Sequence, residues 1–123
     1  MYEYAKGNIL EFLDDVKSQG YRSILLYGAG DVATIMTNAL SSSNYQDIVI
    51  AAIIDDDASK IGGSLGKSPI TDYDSAINMP HEGILISSYK HQSTIFQKII
   101  DRGYNPNNII RFFGTDTPNG ERG

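Results

Sequence analysis

Apolar positions along the chain alternate between two periods. Ile9, Phe12, Leu13 and Val16 recur at helical spacing, and Gly20 follows as a stop. Ser23–Tyr27 (SILLY) is a short apolar run that reads as a buried strand. Val32, Ile35, Met36, Ala39 and Leu40 then mark one helix face, broken by Ser41–Asn44. Ile48–Ile54 (IVIAAII) is β-branched and apolar on both faces, as strands in covered parallel sheets are. Asp55–Pro69 is polar and glycine-rich, a loop with room for a small hairpin. A weak strand is expected near Lys67–Ile70 and a short helix in Thr71–Asn78, closed by Pro80. Gly83–Ser88 reads as a further buried strand. Ile95, Phe96, Ile99 and Ile100 mark a helix ended by Gly103, and Asn108–Phe113 is the last strand.

Strand–helix alternation with doubly apolar strands predicts an α/β fold with a parallel sheet. The expectation is a Rossmann-like, three-layer αβα domain of about five strands in the order 3-2-1-4-5. It spans residues 1–113, and 114–123 form a flexible tail without periodic signal. The chain has 123 residues, enough for one core.

Charge and composition narrow the function. The net charge is −5, which argues against nucleic acid or an anionic membrane as the main partner. No apolar run approaches the ~20 residues of a membrane helix, and the N-terminus lacks an apolar signal core. The chain has no cysteine, which excludes thiol catalysis and thiolate metal sites and fits a cytoplasmic location. No histidine or acid spacing suggests a metal, and His81 and His91 read as solvated.

The most informative stretch begins where the first strand ends. Gly28-Ala29-Gly30-Asp31-Val32-Ala33 is a G-x-G-x-x-A turn between a predicted strand and a predicted helix. Gly28 permits the tight turn, Gly30 leaves room for a phosphate at the backbone, and Ala33 lets the helix pack closely. Helix N–H groups would face the anion. Asp31 favours the helix dipole but repels a phosphate. Asp55 ends the second strand, 27 residues after Gly28, where an acid can bind ribose hydroxyls and disfavour a 2′-phosphate, hence NADP. On spacing alone, Asp56 and Asp57 read as solvated. Ser87, Ser88 and Tyr89 follow the Gly83–Ser88 strand at the ligand-facing edge; Ser88 reads foremost as a helix cap, and Tyr89 and His91 are candidates for a base or sugar.

The stretches LLYGAGDVA, AAIIDDDASKIGGSLGKSPI and DYDSA resemble the nucleotide-binding domains of bacterial polysaccharide-biosynthesis proteins. These are the membrane-linked nucleotide-sugar dehydratases and the N-terminal domains of sugar O-acyltransferases. GILISSYKHQSTIFQKIIDRGY resembles Rossmann-like domains appended to sugar methyltransferases. The most specific part is Ile54–Gly62, and the likeness spans about Ser23 to Phe113. The resemblance implies a UDP-sugar or NAD ligand and implicates Gly28, Gly30, Asp55, Asp56 and Lys60. Nothing matches the catalytic parts of those proteins, so the expected role is a binding module, itself non-catalytic, that works with further domains. The alternatives are an NAD-dependent sugar-nucleotide oxidoreductase or dehydratase fragment, a methyltransferase-appended or S-adenosylmethionine domain, and an interaction domain without ligand.

Overall fold

In the computed structural model, residues 2–42 and 48–111 are described. The elements in chain order are α1 (Tyr2–Ser18), β1 (Ser23–Tyr27), α2 (Asp31–Ser42), β2 (Val49–Ile54), β3 (Ser64–Leu65), β4 (Ser68–Thr71), α3 (Tyr73–Ala76), β5 (Gly83–Ile86), α4 (Gln92–Asp101) and β6 (Ile109–Arg111). A 3₁₀ turn, Pro106–Asn108, leads into β6.

The strands form one mostly parallel, six-stranded sheet in the order β3-β4-β2-β1-β5-β6. This differs from the expected five-strand order 3-2-1-4-5 by one added edge strand, β3; the five expected strands are β4-β2-β1-β5-β6. The loop after β2 contributes a two-residue strand, β3, that pairs antiparallel with β4 through Ser64↔Pro69 and Leu65↔Ser68. The weak strand expected near Lys67–Ile70 is β4, which pairs parallel with β2. The last strand stops at Arg111, and the expected tail, 114–123, lies outside the described residues, as do Phe112 and Phe113.

The period of two along each strand divides the core. Ile24 and Leu26 of β1, Leu85 of β5 and Ile110 of β6 face α1 and α2, where Leu13, Ala33 and Met36 cover them. Leu25, Tyr27, Ile84 and Ile86 face the other way, beneath Tyr73 of α3 and Ile95 and Ile99 of α4. The register between β1 and β2 slips between Ile24 and Leu25, leaving Ala51 as the extra residue. The slip explains why Ile50 and Ile53, three apart, lie on the same face. Helices therefore cover both faces. All the parallel strands point their carboxyl ends the same way, and the loops gathered there build the site.

Candidate functional site at the carboxyl edge of the sheet

At this edge Tyr27 lies between Ile54 and Ile86 in register. The chain leaves β1 through Gly28, whose N–H donates to Ile54 O at 2.8 Å and whose carbonyl accepts the Ser87 hydroxyl at 2.7 Å. Gly28 has φ +120°, and a Cβ there would lie 3.0 Å from Ser88 Cβ and 3.2 Å from Ser88 N. The backbone conformation and the Ser87–Ser88 segment that follows β5 both demand glycine. Gly30 differs. It is exposed, its φ is outside the left-handed region, and a Cβ there would meet nothing within 4 Å. Gly30 precedes α2, and its carbonyl accepts Thr34 N at 3.0 Å. Ala33 is fully buried, so the small-residue requirement at the third position of the turn is met.

Asp55 is already engaged. One carboxylate oxygen accepts Ala29 N–H at 2.8 Å and the other accepts Asp57 N–H at 2.8 Å. Lys60 Nζ donates to Ala29 O at 3.4 Å. The peptide groups flanking Ala29 are thus held by an acid and an amine from the loop after β2. The expected ribose acceptor first serves to brace the turn. Each of its oxygens keeps lone-pair capacity for a second donor. Asp31 stands exposed in the first turn of α2.

Asp56 turns to the other face. Its carboxylate accepts the Tyr27 hydroxyl at 2.7 Å and pairs with Lys98 at 2.5 Å. Partial burial opposes its charge, but the hydrogen bonds from Lys98 and Tyr27 outweigh burial and hold the carboxyl below its usual range. Tyr27 is pushed well above the ordinary phenol value, by burial first and by Asp56 second. At neutral pH Tyr27 is therefore a hydrogen-bond donor and not a base. Asp56 is exposed, as the spacing suggested, but it is engaged by these two partners. Asp57 is exposed, and its bonds from Ser59 keep its carboxyl low.

Two clefts flank the ridge made by Gly28 and Ser88. The one on the α2 side has about 660 Å³ and is bordered by Gly30, Asp31, Lys60, Tyr89 and Lys90. The one on the α4 side has about 460 Å³ and is bordered by Tyr27, Asp56, Asp57, Thr94, Ile95 and Lys98. Gly28, Asp55, Ser88 and His91 line both. Each volume is in the ~300–1,000 Å³ range of small-molecule sites. Of the residues expected from sequence, Gly28, Ala29, Gly30, Asp31, Asp55, Lys60, Ser87, Ser88 and Tyr89 border the larger cleft, and Asp56 borders the smaller.

Some expectations change. Ser88 does not cap α4: its hydroxyl accepts His91 N–H at 3.3 Å, and the cap position, His91, makes no side-chain bond. His81 is half-buried rather than solvated. Its ring contacts Met79 O at 2.7 Å and the Tyr104 hydroxyl at 3.1 Å, and stacks on Tyr104. Tyr27, Thr94 and Lys98 were not singled out. His91, Thr94, Ile95 and Lys98 follow i, i+3, i+4, i+7, a helical stripe that could have shown the polar edge of α4. Among the described residues, no group of three acids or histidines is placed to hold a metal, and no helix is long and apolar enough to cross a membrane.

A family model described as C2185-like, N-terminal, matches residues 20–110, and the chain belongs to that family. No curated protein matches it.

Proposed function

We propose that this C2185-like N-terminal domain is a Rossmann-like module that binds a nucleotide or nucleotide sugar at the carboxyl edge of its sheet. In this reading it serves a bacterial cell-surface sugar pathway, is located in the cytoplasm and acts with further domains of a parent protein. Gly30 carries the reading. Neither backbone conformation nor packing asks for glycine there. Helix capping is the one structural use, worth under ~1 kcal/mol relative to alanine. The open space beside it is bordered by Lys60, Lys90 and the first turn of α2, a setting that suits phosphate oxygens. Tyr89 is 68% exposed at the rim of the cleft. Tyr27 is held protonated and Asp56 is ion-paired, which supports binding by these two groups rather than proton transfer.

A second reading, an interaction domain without ligand, is favoured by the Asp55 and Lys60 contacts on the peptides of Ala29. They satisfy groups that a phosphate would otherwise engage. A thermal-shift panel of NAD, NADP, S-adenosylmethionine, UDP- and GDP-sugars and coenzyme A separates the two. A ligand at ~100 times its Kd adds about 2.7 kcal/mol, a rise of about 10 °C for a chain of this size. The nucleotide reading expects that rise from a UDP-sugar or NAD, with NADP weaker. A flat panel favours the second reading.

A further inference from the structure

The two clefts adjoin along Gly28, Asp55, Ser88 and His91 but differ in chemistry. The α2-side cleft holds Lys60 and Lys90 against Asp31 and Asp55. The α4-side cleft holds three consecutive carboxylates, Asp55, Asp56 and Asp57, against a single ammonium, Lys98, which Asp56 already neutralises. A phosphate or a uronate there would meet uncompensated negative charge. A hydroxyl-bearing ring would not. Its O–H groups can donate to the free lone pairs of Asp55 and Asp57 and accept from the Thr94 hydroxyl or His91. Thr94 is exposed, and among the described residues no hydrogen bond engages its hydroxyl. Ile95, beside it, is largely buried and lines the cleft between Thr94 and Lys98.

We infer that the cleft between the Asp55–Asp57 loop and the first turns of α4 seats the uncharged sugar of a nucleoside diphosphate sugar, whose nucleotide half lies on the α2 side, and that Thr94 reads the sugar hydroxyls. The inference rests on the nucleotide reading above and adds the sugar's seat, its charge class and a specificity residue.

The test compares each diphosphate with its sugar conjugate: UDP with UDP-glucose, GDP with GDP-mannose, ADP with ADP-ribose. Calorimetry measures affinities, and amide shifts report location. At least one conjugate is expected to bind about tenfold tighter than its diphosphate, with the amides of Thr94, Ile95 and Lys98 moving only for the conjugate. In Thr94→Val the conjugate-to-diphosphate affinity ratio should fall about fivefold, the effect of one lost hydrogen bond. UDP-glucuronate should bind more weakly than UDP-glucose. Equal affinity of diphosphate and conjugate, with α4 amides unmoved, overturns this inference and leaves the nucleotide reading standing. So does a ratio unchanged in Thr94→Val, or preference for the glucuronate. Failure of every probe to bind overturns both.

Discussion

The two ends of the sheet are built with the same device and come out differently. Where β1 and β5 begin, Glu82 accepts the N–H groups of Arg22 and Ser23. Gly83 lies so close to Tyr21 that a Cβ would be 2.8 Å from its ring and 2.9 Å from Asn108 O. Where β1 and β2 finish, Asp55 accepts the N–H groups of Ala29 and Asp57, and Gly28 is pressed against Ser88. Each end thus has an acid bridging two backbone donors and a glycine with no room for a side chain. Around Gly83 the space is filled. Beyond Gly28 it opens into two clefts. An acid at a strand end is therefore not in itself a sign of a ligand, since it can equally hold a turn together. The open space beside Gly30 is what distinguishes the carboxyl edge.

The largest expected effect is at the filled end. Gly83→Ala must push the Tyr21 ring or the Asn108 carbonyl aside and should cost about 3 kcal/mol in urea denaturation. Gly28→Ala combines a disfavoured φ with a tight contact and should cost about 2 kcal/mol. Gly83→Ala as stable as the parent would break the claim that this end is packed shut.

Asp55→Asn should cost about 1.5 kcal/mol. Asparagine offers one acceptor oxygen, and its amino group would face an N–H donor at the other contact. Tyr27→Phe keeps the buried ring and removes only the hydroxyl bond to Asp56, so about 1 kcal/mol is expected. Both variants are read by urea midpoint at pH 7. An unchanged midpoint in Asp55→Asn would show that the carboxylate does not brace the turn.

Acid sharpens the comparison. Bonds from the backbone of Arg22 and Ser23 hold the Glu82 carboxyl below its usual range, and Lys98 and Tyr27 do the same for Asp56. A carboxyl with a lowered folded value stabilises fully above its unfolded value, about 4, and loses that stabilisation as pH falls through the folded value. The urea midpoint should therefore decline below about pH 4.5. Glu82→Gln and Asp56→Asn should each make the decline shallower, one for each end of the sheet. A decline unchanged in both would place the acid sensitivity elsewhere.

Much of the fold was legible because the strands are apolar on both faces: Ile24–Tyr27, Ile50–Ile54 and Gly83–Ile86 all appear where their runs predict. The small hairpin expected in Asp55–Pro69 is the β3–β4 pair, though Ser64 and Leu65 are too few to show a period of their own. α1 reaches back to Tyr2, seven residues before the apolar repeat begins at Ile9. The glycine turn was visible from local order alone. The contacts of Asp55 with Ala29 and of Asp56 with Tyr27 and Lys98 were not, because they join residues brought together only by sheet pairing and by α4. The same reason hid the place of Thr94 at the smaller cleft, opposite Asp56 and Asp57.

If a ligand phosphate uses the open space beside Gly30, Gly30→Val fills that space. The measurement is calorimetric affinity for the nucleotide that gives the largest thermal shift, made together with the urea midpoint of the same variant. A folded protein within about 1 kcal/mol of the parent is expected, with affinity reduced at least a hundredfold. A folded variant that binds as tightly as the parent would contradict that use of the space, as would a parent that binds no nucleotide at all.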